Sequence, residues 1–327
     1  MTMKILLQYN ENNNFLIIAL NNKQIYQLDK ANESKENYII AKVSVEVSKN
    51  KNKLVQIINS FENSIRENQY EQTNRKINPN NPYSEIMDIT KNYENENEIK
   101  DNCQILINSK KISFAYKYQS QYSGINAIKY IFAKKLSKAD YLFYNCNLIN
   151  SIYLSHFKTD KITNMESMFE WCTCLSEVNL TNINTINANT MFSMFKKCSS
   201  LNFLDFSSFN TQNFTNMRMM FEEWKSLSYL DLSFFDTKNV TTTRSMLDTC
   251  SSLKDLDLSG FKTSKLIDIS FMFYCCFSLN SIDLYNFDIE NVVDKDKVFY
   301  NCNNIDKNKV RTKDNNIKNA LSRCQIF

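Results

Sequence analysis

From residue 131 onward the apolar positions of the chain return at one fixed interval. Phe143, Phe169, Phe195, Phe221, Leu247, Phe273 and Phe299 form one series, and Phe157, Ile183, Phe209, Phe235, Phe261 and Phe287 form another, without an insertion. Fixed-period self-similarity marks stacked units, each too small to bury a core alone. Within a period the spacing changes character. Thr163, Met165, Met168, Phe169 and Cys172 place apolar side chains at i, i+3, i+4 and i+7, and Thr215, Met217, Met220, Phe221 and Trp224 repeat this. That spacing predicts a short helix with the threonine as its N-cap. Leu175, Val178 and Leu180 follow, then Leu201, Leu204 and Phe206, then Leu227, Leu230 and Leu232. Their closing alternation predicts a short strand with its i and i+2 residues inward. One short strand and one short helix per 26-residue coil define an α/β solenoid, leucine-rich-repeat-like, of about seven coils over residues 131–310.

Residues 1–130 lack the period and read as a small mainly-β domain. Strands are expected at Lys4–Gln8, Phe15–Ala19, Tyr38–Val47, Leu54–Asn59 and in "AIKYIF" at 127–132. "CQILINSKKISFAYKY" reads as a hairpin turning near Asn108-Ser109-Lys110, expected to cover the open end of the solenoid. The polar stretch about 61–100, which holds Pro79 and Pro82, reads as a flexible insert. Residues 311–327, with Ile317, Leu321 and Cys324 at helical spacing, read as a capping segment.

The repeated pattern F-x-T-x-x-V-T-N-M-x-x-M-F-x-x-C-x-S-L-x-x-L-D-L-S, over roughly residues 131–305, resembles the BspA-like surface-protein repeat of leucine-rich type. The resemblance implies adhesion or host interaction at a cell surface, without enzymatic activity in the repeats. The chain departs from secreted members at its N-terminus. "MTMKILLQYNENNNFLIIAL" has broken apolar runs and no small-residue cleavage site, and eighteen apolar residues nowhere run together. A cytoplasmic location is therefore expected, with a surface location left open by the resemblance.

Composition narrows the chemistry. The net charge of +4 on 327 residues comes without a dense basic block, so nucleic acid is not an expected partner. Two glycines leave no room for a glycine-rich phosphate loop. Six of the ten cysteines (Cys146, Cys172, Cys198, Cys250, Cys276 and Cys302) occupy one position of the period, and Trp224 fills the remaining one. An indole cannot replace a metal ligand, so the series reads as reduced, buried apolar filler rather than a metal site or a disulfide framework. The single histidine, His156, stands at a variable turn and lacks the spacing of a Cys/His zinc site. No catalytic residue, cofactor or metal is expected.

The position just before the first inward residue of the alternating pair varies along the repeats: Ser151, Glu177, Phe203, Tyr229, Asp255 and Ser281. Alternation puts these side chains on the outer, concave face of the strands. Asp205, Asp231, Asp257 and Asp283 follow two residues on. These carboxylates read either as turn-serving groups or as a basic-partner or weak divalent-cation surface. The expected function is a non-enzymatic protein–protein interaction scaffold, with Phe203, Tyr229, Asp205, Asp231, Asp255 and Asp257 as partner-binding residues. Cell-surface adhesion is the alternative binding function, and an enzyme site in the N-terminal half is the alternative of a different class.

Overall fold

A computed structural model describes residues 36–45, 54–60, 95–120, 124–313 and 315. In chain order the elements are β1 (Asn37–Val45), β2 (Val55–Gln56), α1 (Glu96–Asn102), β3 (Cys103–Ile107), β4 (Lys110–Ile112), β5 (Lys117–Tyr118), β6 (Gly124–Phe132), β7 (Ile149–Tyr153), β8 (Glu177–Asn179), β9 (Tyr229–Asp231), β10 (Asp255–Asp257), β11 (Ile282–Leu284) and β12 (Val310–Thr312). Six of them form one sheet in the order β4-β3-β6-β1-β7-β8. All its neighbours are antiparallel except β7 and β8, which run parallel. The sheet therefore passes without a break from the N-terminal half into the repeats.

The expected α/β solenoid of leucine-rich-repeat type is overturned. Among the described residues the single α-helix is α1, which lies outside the repeats. The segments with helical spacing form successive turns instead, and their hydrogen bonds give the reason. In Met191–Cys198 the amides of Met194, Lys196 and Cys198 donate three residues back, to Met191, Ser193 and Phe195. The amides of Met191, Ser193, Phe195 and Lys197 donate to Asn216, Arg218, Met220 and Glu222, in the following repeat. A helix would send each amide four residues back in its own segment. Here half of them are committed to the neighbour. Twice per repeat the backbone also takes the left-handed conformation, as at Ser193 (φ 53°) and Lys197 (φ 61°), which breaks a right-handed helix. The composition agrees, since Ser, Thr, Asn, Phe and Cys are middling helix formers.

What the period builds is a set of parallel ladders between segments of successive repeats. Lys138, Asn164, Thr190, Asn216, Thr242, Asp268 and Asp294 bridge in succession. From 164 onward each of these side chains also accepts from the amide two residues on, as Asn164 does from Glu166 (2.9 Å) and Asp268 from Ser270 (2.9 Å). The residue before it, expected as a helix cap, instead reaches backwards: Thr215 and Thr241 donate to the carbonyls of Asn189 and Thr215. The threonine of the F-x-T motif ties its repeat to the following one by two bonds. Buried Thr211 donates to the Asp236 carbonyl (3.3 Å) and accepts from the Asp236 amide (2.7 Å).

Inside, the phenylalanine series stacks ring on ring. Phe143–Phe169, Phe169–Phe195 and Phe195–Phe221 have centroids 5.8, 5.3 and 6.3 Å apart, within the range of favourable aromatic pairs. The core runs on through Tyr130 and Ile105 into the N-terminal sheet.

In the N-terminal half the strands expected at Tyr38–Val47 and 127–132 appear as β1 and β6, and the hairpin turns through Asn108 and Ser109, both at positive φ. The hairpin does not adjoin the repeats. β1 does, because its long apolar edge pairs with β7 while the hairpin occupies the far edge. The strands expected at Lys4–Gln8 and Phe15–Ala19 lie outside the described residues, as do residues 61–94 of the expected insert and all but residues 311–313 and 315 of the expected cap. The end of the insert enters α1, and the first residues of the cap belong to β12, which pairs parallel with β11.

Candidate functional site

Each repeat brings one short extended segment to the same side of the ladder. β7 and β8, β9 and β10, and β11 and β12 pair in parallel, whereas the corresponding segment Leu201–Phe206 forms no strand. The inward residues face the core, buried as with Leu204 and Phe206, and Leu230 and Leu232, or half-buried as with Val178 and Leu256. Alternation then turns the intervening side chains outward.

Phe203 and Tyr229 stand on that outer face, 63% and 49% exposed. β9 and β10 bring Asp255 beside Tyr229 and Asp257 beside Asp231. Asp205 and Asp255 are exposed, and Asp231 and Asp257 are half-exposed. The expected binding residues thus share one surface. Beside them a hollow of about 410 Å³ opens between β10 and β11, lined by Tyr229, Asp255, Asp257, Ser259, Asp283 and Lys309 among others.

The aspartates serve the turns that follow them. One carboxylate oxygen of Asp205, Asp231, Asp257 and Asp283 accepts from the amide of Ser207 (2.8 Å), Ser233 (2.9 Å), Ser259 (2.8 Å) and Tyr285 (2.9 Å). Hydrogen bonds from Ser207 and Ser233 hold the Asp205 and Asp231 carboxyls below their ordinary range. The Tyr229 phenol is raised, by partial desolvation and then by the carboxylates of Asp231, Asp257 and Asp255.

The two ends of this face differ from its middle. At the β7 end Lys42 of β1 lies over the Tyr153 ring (5.3 Å), and the Tyr153 hydroxyl donates to Glu177 (2.9 Å). At the β12 end the Arg311 guanidinium donates to Asp283 (2.6 Å) and lies over the Tyr285 ring (5.2 Å), which Lys313 also approaches (4.3 Å). Each end therefore carries an aromatic ring under a cation of the chain itself, and at the β12 end that cation also bonds the carboxylate. Among the described residues no lysine or arginine pairs with Asp205, Asp231, Asp255 or Asp257.

The cysteine series is buried, but it is more than apolar filler. The thiols of Cys172, Cys198, Cys250, Cys276 and Cys302 donate to the carbonyls of Phe143, Phe169, Phe221, Leu247 and Phe273 at 2.8–3.2 Å. Trp224 donates its indole N–H to the Leu201 carbonyl. The signal lay in the exchange itself, since thiol and indole share a donor hydrogen as well as an apolar body. Burial pushes the thiols of Cys172, Cys198, Cys250 and Cys276 well up from their ordinary range. His156 stacks on Tyr38 with ring centroids 4.4 Å apart, and Ser155 lies 3.1 Å from its Nδ1.

Lys42 and Arg311 were not legible as parts of the face. Lys42 lies outside the repeats, and Arg311 stands opposite Asp283 out of step with the period, because the last repeat departs from it.

A family model described as Mycoplasma protein of unknown function, DUF285, matches residues 134–255 and 225–326. No curated protein and no solved structure matches the chain.

Proposed function

The chain belongs to the family described as Mycoplasma protein of unknown function, DUF285, and from that footing we propose that it is a non-enzymatic protein-interaction module. Its partner docks on the middle of the outer strand face, around Phe203 and Tyr229. The observation that carries this reading is the pair of exposed aromatic rings, Phe203 and Tyr229, at the same position of successive repeats in the middle of the face. Exposed apolar side chains grouped on one face mark interaction sites, and aromatic anchors dominate binding hot spots. The chemistry of the face supports binding over catalysis. Its aspartates are engaged by turn amides, and Asp205 and Asp231 are held ionised, the opposite of what a general acid needs near neutrality.

The test compares the parent with Phe203→Ser/Tyr229→Ser in partner capture and in melting temperature. Loss of the captured partner at an unchanged melting temperature supports the module. Equal capture by both proteins, or a large fall in melting temperature of the double variant, removes this face as the site.

A second reading, adhesion at a cell surface, has its support in the resemblance of the repeat to the BspA-like surface-protein repeat. Labelling of intact cells with a membrane-impermeant reagent separates the two. A labelled chain favours adhesion, and an unlabelled one leaves an interior partner.

A further inference from the structure

The two ends of the face display the same small arrangement. A ring, Tyr153 or Tyr285, lies beside a carboxylate, Glu177 or Asp283, and a cation of the chain lies over the ring: Lys42 at one end, and at the other Arg311, which also bonds the carboxylate. The middle repeats the first two parts without the third. Tyr229 stands between Asp231 and Asp255, with Asp257 beyond and Asp205 and Phe203 in the preceding repeat. Among the described residues no lysine or arginine forms an ion pair with those four carboxylates, although Lys309 lines the hollow beside Asp255 and Asp257. Parallel pairing sets neighbouring strands about 4.8 Å apart, so their like charges repel. The chain as a whole carries +4, so this local excess of acid is set against its overall charge.

Resting on the interaction reading above, we propose that the occupant of this face is an arginine-bearing polypeptide segment. Its guanidinium groups take, over Tyr229 and against Asp231, Asp255 and Asp257, the place that Arg311 takes over Tyr285 and against Asp283. A planar guanidinium stacks on an aromatic ring and donates to a carboxylate at once, which an ammonium does less well. The hollow beside β10, lined by Tyr229, Asp255 and Asp257, gives a side chain room to enter. Arg311 also shows the backbone that suits the task. β12 buries Val310 and Thr312 and turns Arg311 out, so an extended segment with arginine at alternate positions matches the face. A phosphate-bearing partner would meet the wrong charge.

The experiment titrates the full chain with short synthetic peptides carrying arginine, lysine or glutamate at alternate positions, read by fluorescence anisotropy. The arginine peptide is expected to bind, more tightly than the lysine peptide, and the glutamate peptide not at all. Raising the salt from about 50 to about 500 mM should weaken binding at least about tenfold. Asp255→Asn/Asp257→Asn should weaken it at least about tenfold, and Tyr229→Leu should reduce the preference for arginine over lysine. Glu290→Gln, an exposed acid elsewhere, should change nothing. Failure of the arginine peptide to bind, binding indifferent to salt, or equal binding by the asparagine variant overturns the proposal. Self-association of the parent that Asp255→Asn/Asp257→Asn abolishes would make a second copy the occupant, which also overturns it. Partner capture that is lost in Phe203→Ser/Tyr229→Ser but kept in Asp255→Asn/Asp257→Asn would leave the interaction module standing and remove the arginine-bearing segment alone.

Discussion

Replacing Phe221 by alanine tests the ring stack at its centre. The Phe221 side chain is fully buried. Its ring stacks on Phe195 (6.3 Å), tilts against Trp224 (5.3 Å) and meets Phe206 edge to face (5.5 Å). The backbone bonds of the position survive the change: its amide still reaches the Met246 carbonyl, and its carbonyl still accepts from Trp224 and the Cys250 thiol. The loss is therefore confined to the ring. Transferring a buried phenylalanine side chain is worth roughly 1.5–3 kcal/mol, and the hole left among three aromatic neighbours brings the expected cost to about 3–5 kcal/mol. The assay is urea denaturation followed by circular dichroism, with Phe203→Ala as the exposed counterpart, expected within about 0.5 kcal/mol of the parent. A lower midpoint at unchanged slope carries the prediction. A reduced slope would show that the variant splits the ladder into separately unfolding parts. A cost below about 1 kcal/mol at Phe221, or equal costs at the two positions, refutes the packing argument.

Thiol labelling of the native chain should leave Cys198 and Cys250 unmodified while the denatured chain reacts fully, because burial removes access and suppresses the thiolate; rapid native labelling, or a disulfide joining them, contradicts this. Burial pushes the Glu170 and Asp248 carboxyls up to about 7, against the pull of the neighbouring Lys196. In the unfolded chain both titrate near 4, so between there and about 7 the folded state holds the extra protons, and their contribution to stability is lost as the pH rises through 7. Asp248→Asn should accordingly lose less stability than the parent between about pH 5.5 and about pH 8, and identical losses in urea midpoints would contradict it. At Gly260 a Cβ would stand 1.9 Å from the Ser233 carbonyl oxygen, so Gly260→Ala should cost about 1–3 kcal/mol by overpacking, and an unchanged midpoint would contradict that contact.

Periodicity made the inward positions readable but not the backbone that presents them. Met191, Met194, Phe195 and Cys198 are all buried, as their spacing requires. Spacing, however, records only which side chains share a side. Two linked turns joined by a left-handed residue place i, i+3, i+4 and i+7 together as well as a helix does. Deciding between them depends on where the amides go, and the amides of Ser193 and Lys197 go to Arg218 and Glu222 in the following repeat. Asparagine has a structural use for the same reason. Asn187, Asn213 and Asn239 donate to the carbonyls of Asp160, Ile186 and Gln212 in the preceding repeat. In the N-terminal half, the strand β6 and the Asn108-Ser109 turn were legible because they are local. The pairing of β1 with β7 was not, since nothing in either strand names its neighbour.

For the outer face, the rings and carboxylates could be placed by alternation within the period, whereas the cations at its ends needed the three-dimensional register. The most direct measurement replaces Tyr229 with a photocrosslinking amino acid in the full chain in living cells. The same replacement at Val293, which is 89% exposed on a different ladder position, provides the control. The account predicts one dominant crosslinked polypeptide from position 229, absent from position 293 and lost when Asp255 and Asp257 are changed to asparagine. The same products from both positions, or none from position 229, would contradict it.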